Sequence, residues 1–179
     1  AKEPIGATDQ GKVADIMSES ASSVINKMRK KMQLTCLGTS SGIPTKNRNV
    51  TGLALQKQSS KNWYLVDCGE GTQHQILNTK LSLKNLKTIL ITHVHGDHCY
   101  GLPGLLATTA MSGRTEPMTI IAPIGIKEMF LAVVKTTDMK LNYEINFVPV
   151  ETLSAPYQLE DFEVNAIELS HRVPSYGFS

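Results

Sequence analysis

Apolar positions from residue 13 onward are spaced like one face of a helix. They predict a helix over residues 13–31, and its basic last turn suits a helix C-terminus. Residues 1–12 are polar and are predicted to be a mobile segment. Two interpretations of the helix stay open: packing on the following domain, or contact with a partner or RNA. The residues on the apolar face are Val13, Met17, Ala21, Val24 and Met28.

From residue 32 onward, short apolar runs alternate with turn-rich segments and with helical periodicity. Residues 50–56 and 63–66 are predicted to form a hairpin around a polar loop. Alternation of strands and helices is typical of an α/β domain, which is the predicted fold class. The predicted strands cover residues 33–37, 50–56, 63–66, 86–92, 118–122, 143–150 and 162–169. The predicted helices cover residues 72–77, 99–110 and 125–136, and residues 93–98 are predicted to be a loop.

Composition narrows the class of protein further. A length of 179 residues corresponds to about one domain. Hydrophobic residues make up 41% and charged residues 19%, which excludes disordered, collagenous and coiled-coil classes. Apolar runs are too short for a membrane-spanning helix, so no membrane role is expected. A net charge of +2 permits a nucleic-acid partner without requiring one.

The number and spacing of the cysteines indicate the redox state of the compartment in which the protein resides. Cys36, Cys68 and Cys99 are far apart, and the sequence has no Cys-x-x-Cys pair. Neither a zinc ribbon nor a disulfide framework is therefore indicated. The N-terminal residues lack the apolar stretch of a secretory signal. A reducing cytoplasmic location is predicted.

Potential metal ligands are concentrated in the segment His-Val-His-Gly-Asp-His at residues 93–98, which contains three of the five histidines. In extended backbone, residues two apart such as His93 and His95 point to the same side. Imidazole and carboxylate groups together predict a metal site, with zinc as the first choice and manganese or iron as alternatives. Asp97 and His98 complete two pairs of ligands, which suits two metal ions.

His171 lies near the end of a predicted strand, and two interpretations are open for it. Alone, it is as readily a structural residue as a ligand. Beside an incomplete metal site, it is predicted to be the third ligand of the first metal. His74, on a predicted helix, is expected to be a surface or packing residue.

Five segments resemble a known family. They are LGTSSGIP at 37–44, PTKNRN at 44–49, DCGEGTQ at 67–73, the histidine motif at 93–98 running into GLPGLL at 101–106, and HRVPSYGFS at 171–179. The histidine motif is shared by the metallo-β-lactamase superfamily. The DCGEGTQ and PTKNRN segments are narrower, and with them residues 32–179 resemble the short form of tRNase Z, a tRNA 3′-end processing endoribonuclease. The first 30 residues show no such resemblance.

The resemblance implies a fold and an activity. The fold is the αββα sandwich of the metallo-β-lactamases, of which residues 32–179 cover roughly the first half, as the N-terminal part of a nuclease domain. The activity is removal of the 3′ trailer from precursor tRNA, leaving a 3′-OH on the tRNA and a 5′-phosphate on the trailer. Two zinc ions are the expected cofactors, and a cytoplasmic homodimer is the expected form.

Roles for single residues follow from the same resemblance. One zinc would be bound by His93, His95 and His171, and the second by Asp97 and His98. Asp97 is also the expected catalytic residue, because it helps to take the proton of the attacking water. Asp67 would orient the metal-binding loop. The residues expected near the tRNA 3′ region are Lys46, Arg48 and Asn49, although the two cations by themselves also fit a solvated loop.

The resemblance also implies that the sequence is part of a longer protein. The family's bridging aspartate, its last metal-binding histidine and its leaving-group proton donor would all follow residue 179. The second zinc would otherwise have only Asp97 and His98, fewer protein ligands than zinc sites usually have. Residues 32–179 alone are also expected to leave an apolar sheet face bare.

Two rival functions are weighed against the nuclease. One is another hydrolase of this superfamily, such as a cyclic-nucleotide phosphodiesterase or an arylsulfatase-like enzyme. Such enzymes have no need of the basic segment 44–49, which favours the tRNA nuclease. The other is a non-catalytic module or fragment. A cluster of polar ligands is costly to retain without metal chemistry, which argues against it.

Overall fold

A six-stranded sheet is the centre of the computed structural model, which describes residues 32–179. Its strands lie in the order of the chain. The first two strand pairs are antiparallel, and the pairs from β3 to β6 are parallel. The predicted mobile segment 1–12 and the predicted helix 13–31 lie outside the described residues. The strands are β1 Met32–Gly38, β2 Gly52–Lys57, β3 Trp63–Val66, β4 Leu86–Leu90, β5 Met118–Ala122 and β6 Ile145–Pro149.

Helices cover one face of this sheet. Parallel neighbours need crossover connections, and the chain supplies them as helices between β3, β4, β5 and β6. Leu102, Leu105 and Phe130 belong to the same buried apolar cluster as Trp63 and Ile89 of the sheet. The helices are α1 Thr72–Leu77, α2 Gly96–Cys99, α3 Leu102–Met111 and α4 Ile124–Thr137. Two 3₁₀ turns cover Leu83–Asn85 and Val150–Thr152.

The opposite face of the sheet is also partly covered. Successive strand residues point to opposite faces, so Ile120 packs with the helices while Ile121 packs with a second apolar cluster. This cluster includes Tyr64 of the sheet and Val164 and Tyr176 of a second layer. The second layer consists of two small antiparallel pairs, β7 Tyr157–Gln158 with β8 Glu163–Val164, and β9 Ala166–Leu169 with β10 Ser175–Phe178.

An apolar groove of about 320 Å³ remains between the sheet and this second layer. Leu55, Tyr64, Leu90, Phe162 and Phe178 are among the residues that line it. The expectation of a bare apolar face is therefore met only in part, because the β7–β10 strands already cover much of it.

Most predicted elements are present, with two exceptions. The single strand predicted over 162–169 is wrong, because its halves pair with different partners and separate at Asn165. The single helix predicted over 99–110 is also wrong, because α2 begins at Gly96 within the predicted loop 93–98 and the helix is interrupted after it. There the Gly101 amide donates to the Cys68 carbonyl oxygen at 2.9 Å, which turns the chain before α3 begins.

Among residues 32–179, no helix combines the length and the apolar character that crossing a bilayer requires.

Arg114 joins the starts of two parallel strands. Its guanidinium is buried and donates to the carbonyl oxygens of Leu86 at 2.8 Å, Glu116 at 2.7 Å and Pro117 at 2.7 Å. It also lies 5.6 Å from the ring centre of Tyr143. A planar guanidinium can satisfy several carbonyls at once, which a lysine ammonium cannot do with the same geometry. Arg114 therefore holds β4 beside β5 at the end opposite the histidines.

We expect Arg114→Lys to lower the free energy of unfolding by about 2 kcal/mol, because buried carbonyl oxygens would lose their donors. Urea unfolding of the protein followed by circular dichroism measures this change. Arg48→Lys, on an exposed loop, is the matched control and should shift stability by less than about 0.5 kcal/mol. Equal stability of the two variants would contradict this role for Arg114.

Candidate metal centre

The predicted ligands gather at the carboxyl ends of the parallel strands. Asp67 follows β3 directly, and residues 92–98 follow β4 after a single residue, Ile91. In open α/β sheets this edge is where ligands bind. The amide of Tyr176 in β10 donates to the carbonyl oxygen of Thr92 at 2.9 Å. This bond ties the second layer to the histidine segment and brings His171, which follows β9, to the same edge.

Three histidines converge at this edge. His93, His95 and His171 each offer a ring nitrogen, and these three atoms lie within 4.8 Å of one another. Nδ1 of His95 and Nε2 of His171 are 3.4 Å apart. Two nitrogens bound to one tetrahedral metal ion such as zinc are separated by about 3.3 Å, so this pair is spaced closely enough to share an ion. His93 is buried and His171 exposed, so the cluster opens to solvent on one side.

Asp97 and His98 form a second pair beside the cluster. Nε2 of His98 lies 3.3 Å from Oδ2 of Asp97. The rings of His93 and His98 are 4.0 Å apart between centres. The structure thus brings together all five residues predicted as metal ligands, in two neighbouring groups. Three imidazoles in one group and a carboxylate with an imidazole in the other are donor sets that zinc, manganese and iron accept.

Asp67 fixes the orientation of His98, one member of the second pair. Its carboxylate is 2% exposed, and Oδ2 accepts a hydrogen bond from Nδ1 of His98 at 2.6 Å. Oδ1 accepts from the Thr92 amide at 2.8 Å, and the Thr92 hydroxyl lies 3.0 Å from both carboxylate oxygens. Because the carboxylate holds the proton on Nδ1, Nε2 of His98 is left for a metal.

The backbone at Asp67 is itself unusual. Its φ of 59° lies in the left-handed region, which residues other than glycine seldom adopt. The Asp67 amide donates to the Leu90 carbonyl oxygen at 2.8 Å, which continues the pairing of β3 with β4 past the end of the strands. Such conformations persist where surrounding contacts over-determine them, and they concentrate at functional sites.

Burial and charge set the protonation of the cluster. Burial by itself would lower the pKa of His98, but the hydrogen bond to Asp67 and the charges of Asp67 and Asp97 raise it above the usual value. Burial and then the charge of His98 lower the pKa of His93. Burial acts to raise the pKa of Asp97, but the Gly42 amide and His98 bring it below the usual value. Neutral His93 and ionised Asp97 are the forms that bind metals.

The three residues predicted to contact tRNA differ in their surroundings. Lys46 and Arg48 are exposed on the loop between β1 and β2. Asn49 is only half-exposed, and its side-chain amide donates to the Glu70 carbonyl oxygen at 2.8 Å. The two cations therefore face solvent, whereas the Asn49 side chain is engaged within the chain. His74 is exposed on α1, as expected of a surface residue.

Two residues near the cluster were not singled out from the sequence. The Thr92 hydroxyl lies 2.9 Å from Nδ1 of His93 as well as beside Asp67, so it bridges both groups of ligands. Its position directly before the histidine motif was the only available signal. The Gly42 amide donates to Oδ2 of Asp97 at 2.8 Å. Gly42 is distant from Asp97 in sequence, so no local pattern indicated this contact.

We expect Thr92→Val to lower the affinity for zinc by about tenfold to a hundredfold, because the isosteric change removes the hydroxyl that orients His93 and Asp67. Competition with a chromophoric chelator measures the affinity. Thr88→Val, a buried threonine earlier on β4, is the matched control and should bind zinc like the parent protein. Unchanged affinity in Thr92→Val would contradict the orienting role.

The chain is similar to known proteins in sequence. A family model described as "Anti-Pycsar protein Apyc1" matches residues 32–179. A Ribonuclease Z from Pseudomonas putida is 52% identical over 147 residues, which make up 82% of this chain and 46% of that protein. The chain thus spans about half the length of the curated relatives it matches. The predicted resemblance to tRNase Z is confirmed by such relatives.

Solved structures agree on the fold. The human tRNase Z, short form, superimposes with a TM-score of 0.70 at 29% identity, over 83% of this chain and 64% of that one. The metallo-β-lactamase fold protein YhfI from Bacillus subtilis superimposes with a TM-score of 0.66 at 20% identity, over 82% of this chain and 56% of that one. The predicted α/β fold class is confirmed. The chain belongs to the family described as Anti-Pycsar protein Apyc1, and it has the metallo-β-lactamase fold.

Proposed function

We propose that the protein carrying this chain is a zinc-dependent endoribonuclease that removes the 3′ trailer from precursor tRNA. The observation that carries this proposal is the joining of a cationic loop to the metal centre. The loop exposes Lys46 and Arg48, and its Gly42 amide reaches Asp97 at 2.8 Å. A polyanionic substrate contacted by the loop would thus lie beside the ligand cluster. The name Ribonuclease Z of relatives about 50% identical supports the same activity.

Zinc is the proposed metal, with manganese or iron as the alternatives. His93, His95 and His171 would hold one ion, and Asp97 and His98 would contribute to a second. When bound, a pair of such ions lowers the pKa of a bound water toward about 7 and neutralises charge on the phosphate.

Residues of the chain itself would transfer the proton and orient the ligands. Asp97 accepts a proton from the attacking water, since its carboxylate lies at the open mouth of the cluster. A bond forms between the water oxygen and phosphorus, and the bond from phosphorus to the upstream 3′ oxygen breaks. That oxygen takes up a proton from solvent water to give the 3′-OH of the tRNA, and the trailer keeps the 5′-phosphate. Asp67 holds the His98 ring so that Nε2 faces the metal side.

Location and assembly extend the proposal. Cys36, Cys68 and Cys99 are free thiols, which suits a reducing compartment, so we place the protein in the cytoplasm. The homodimer that the tRNase Z resemblance implies is proposed on that resemblance. Residues 32–179 would be the N-terminal part of the nuclease domain, which is consistent with the half-length match to the relatives.

We expect Asp97→Ala to reduce cleavage of precursor tRNA by at least about a thousandfold, because it removes both a metal ligand and the proton acceptor. Gel analysis of 3′-trailer release by the full-length protein measures this loss, with circular dichroism to verify folding. Glu128→Ala, which removes an exposed carboxylate of α4, is the control and should cleave normally. Full activity of metal-loaded Asp97→Ala would overturn the assignment.

The basic loop makes a second prediction. We expect the double variant Lys46→Ala/Arg48→Ala to raise KM for precursor tRNA about tenfold, and to reduce the salt dependence of binding by roughly one to two in log–log slope. Steady-state cleavage at several salt concentrations measures both quantities.

Lys84→Ala, which removes one surface cation, is the control, because Lys84 is exposed just before β4, at the end of the strand away from the metal centre. Its KM should equal that of the parent protein. The rival small-molecule phosphodiesterase predicts a different outcome. In that case bis-p-nitrophenyl phosphate would be hydrolysed well, precursor tRNA would not be cleaved, and the loop variants would have no tRNA phenotype.

A further inference from the structure

The loop between β1 and β2 is held together by its own hydrogen bonds, although most of its residues are exposed. The Ser40 amide donates to the Asn49 carbonyl oxygen at 2.9 Å, which closes the base of the loop. Within it, the Thr45 amide donates to the Arg48 carbonyl oxygen at 2.8 Å, and the Ser40 hydroxyl donates to the Ile43 carbonyl oxygen at 2.6 Å. These bonds give the loop one defined shape.

Hydrogen bonds connect the base of the loop to the segment that carries Asp67. Besides the bond from Asn49 to the Glu70 carbonyl, the Gly69 amide donates to the Thr51 carbonyl oxygen at 3.1 Å. A Cβ at position 69 would overlap the carbonyl oxygen of Asp97 and the side chain of Val50. The loop base, the Asp67 segment and helix α2 are therefore packed directly on one another.

The tip of the loop reaches the metal centre itself. The Gly42 amide donates to Oδ2 of Asp97 at 2.8 Å across 55 positions of sequence, and Ser41 lines the mouth of the histidine cluster. Asp97 is on the four-residue helix α2, and its Oδ2 also lies 3.3 Å from Nε2 of His98. A backbone N–H on one carboxylate oxygen restricts rotation of the carboxylate, as partners of metal ligands commonly do.

Backbone conformation explains why a glycine stands at this position. Gly42 has φ +66°, and a Cβ built on it would meet nothing within 4 Å. Space is therefore available, and only the left-handed conformation disfavours a side chain. A residue with a Cβ would favour negative φ, and that change would turn the Gly42 N–H away from Asp97.

We propose that Gly42 is a positioning residue of the metal centre, and that the loop presenting Lys46 and Arg48 to RNA also sets the orientation of Asp97 through the Gly42 amide. The RNA part of this inference rests on the proposed function. The contact between Gly42 and Asp97 does not, so it can be tested without RNA.

The chain offers a matched control for the test. Gly113, in the turn after α3, also has positive φ, +80°, and also has open space around its Cβ position. Gly42→Ala and Gly113→Ala therefore impose similar backbone penalties, but only the first lies at the metal centre. In the full-length protein we expect Gly42→Ala to lower both zinc affinity and kcat about tenfold, with KM for precursor tRNA within about twofold. Gly113→Ala should leave all three quantities unchanged.

A conservative variant separates conformation from bulk. Asparagine tolerates the left-handed region better than alanine does. We therefore expect Gly42→Asn to restore kcat and zinc affinity to within about threefold of the parent protein. Chelator competition and steady-state kinetics measure these values. Equal zinc affinity and kcat in Gly42→Ala and Gly113→Ala would overturn the proposal.

A measurement on metal-free protein keeps the inference falsifiable if Gly42→Ala fails to fold. The Gly42 amide should exchange slowly with solvent by NMR, and Asp97→Ala should accelerate that exchange while leaving the Gly113 amide unaffected. No effect of Asp97→Ala on Gly42 would contradict the hydrogen bond. Failure of the parent protein to cleave precursor tRNA would instead overturn the proposed function, and the exchange and zinc results would still decide the role of Gly42.

Discussion

The site depends on the hydrogen bonds that the buried carboxylate of Asp67 accepts. Asp67 is 2% exposed, and a carboxylate so deeply buried needs hydrogen-bond donors, which Thr92 and His98 supply. These partners begin and end the histidine segment that follows β4. Satisfying one buried charge therefore fixes the path of that segment, the ring of His98 and the start of α2. Removing any partner would leave the carboxylate buried and under-satisfied.

The sheet places this interaction where it can serve chemistry. β3 and β4 are parallel, so their carboxyl ends lie at one edge, and Asp67 and Thr92 face each other there without a long loop. Arg114 supports the opposite end of β4, and the Tyr176–Thr92 bond supports the near end. The ligands are thus carried by segments that directly follow paired strands.

The second layer contributes to the site in a different way. β9 and β10 bring His171 into the cluster, yet the groove of about 320 Å³ beside them stays apolar and partly open. Leu55, Tyr64 and Phe178 line this groove, and such surfaces are ordinarily buried in complete domains. Residues 32–179 bring the ligand atoms of the three histidines within 4.8 Å of one another.

Local patterns determined a large part of this protein. Short apolar runs and helical apolar spacing located the strands of the main sheet and helices α1 and α4, because those elements bury faces that their own residues define. The spacing of His93, His95, Asp97 and His98 indicated a metal, because ligands close in sequence must also be close in space. Distinctive segments such as residues 67–73 were enough to identify the relatives.

Tertiary structure decided what depends on contacts between distant segments. The split of residues 162–169 into two strands came from separate pairing partners, which no local pattern shows. The engagement of Asn49 with Glu70, the bridging hydroxyl of Thr92 and the amide of Gly42 all arise where loops from different strands meet. The chemistry of the ligands is thus local in sequence, whereas their orientation comes from hydrogen bonds that only the folded chain can close.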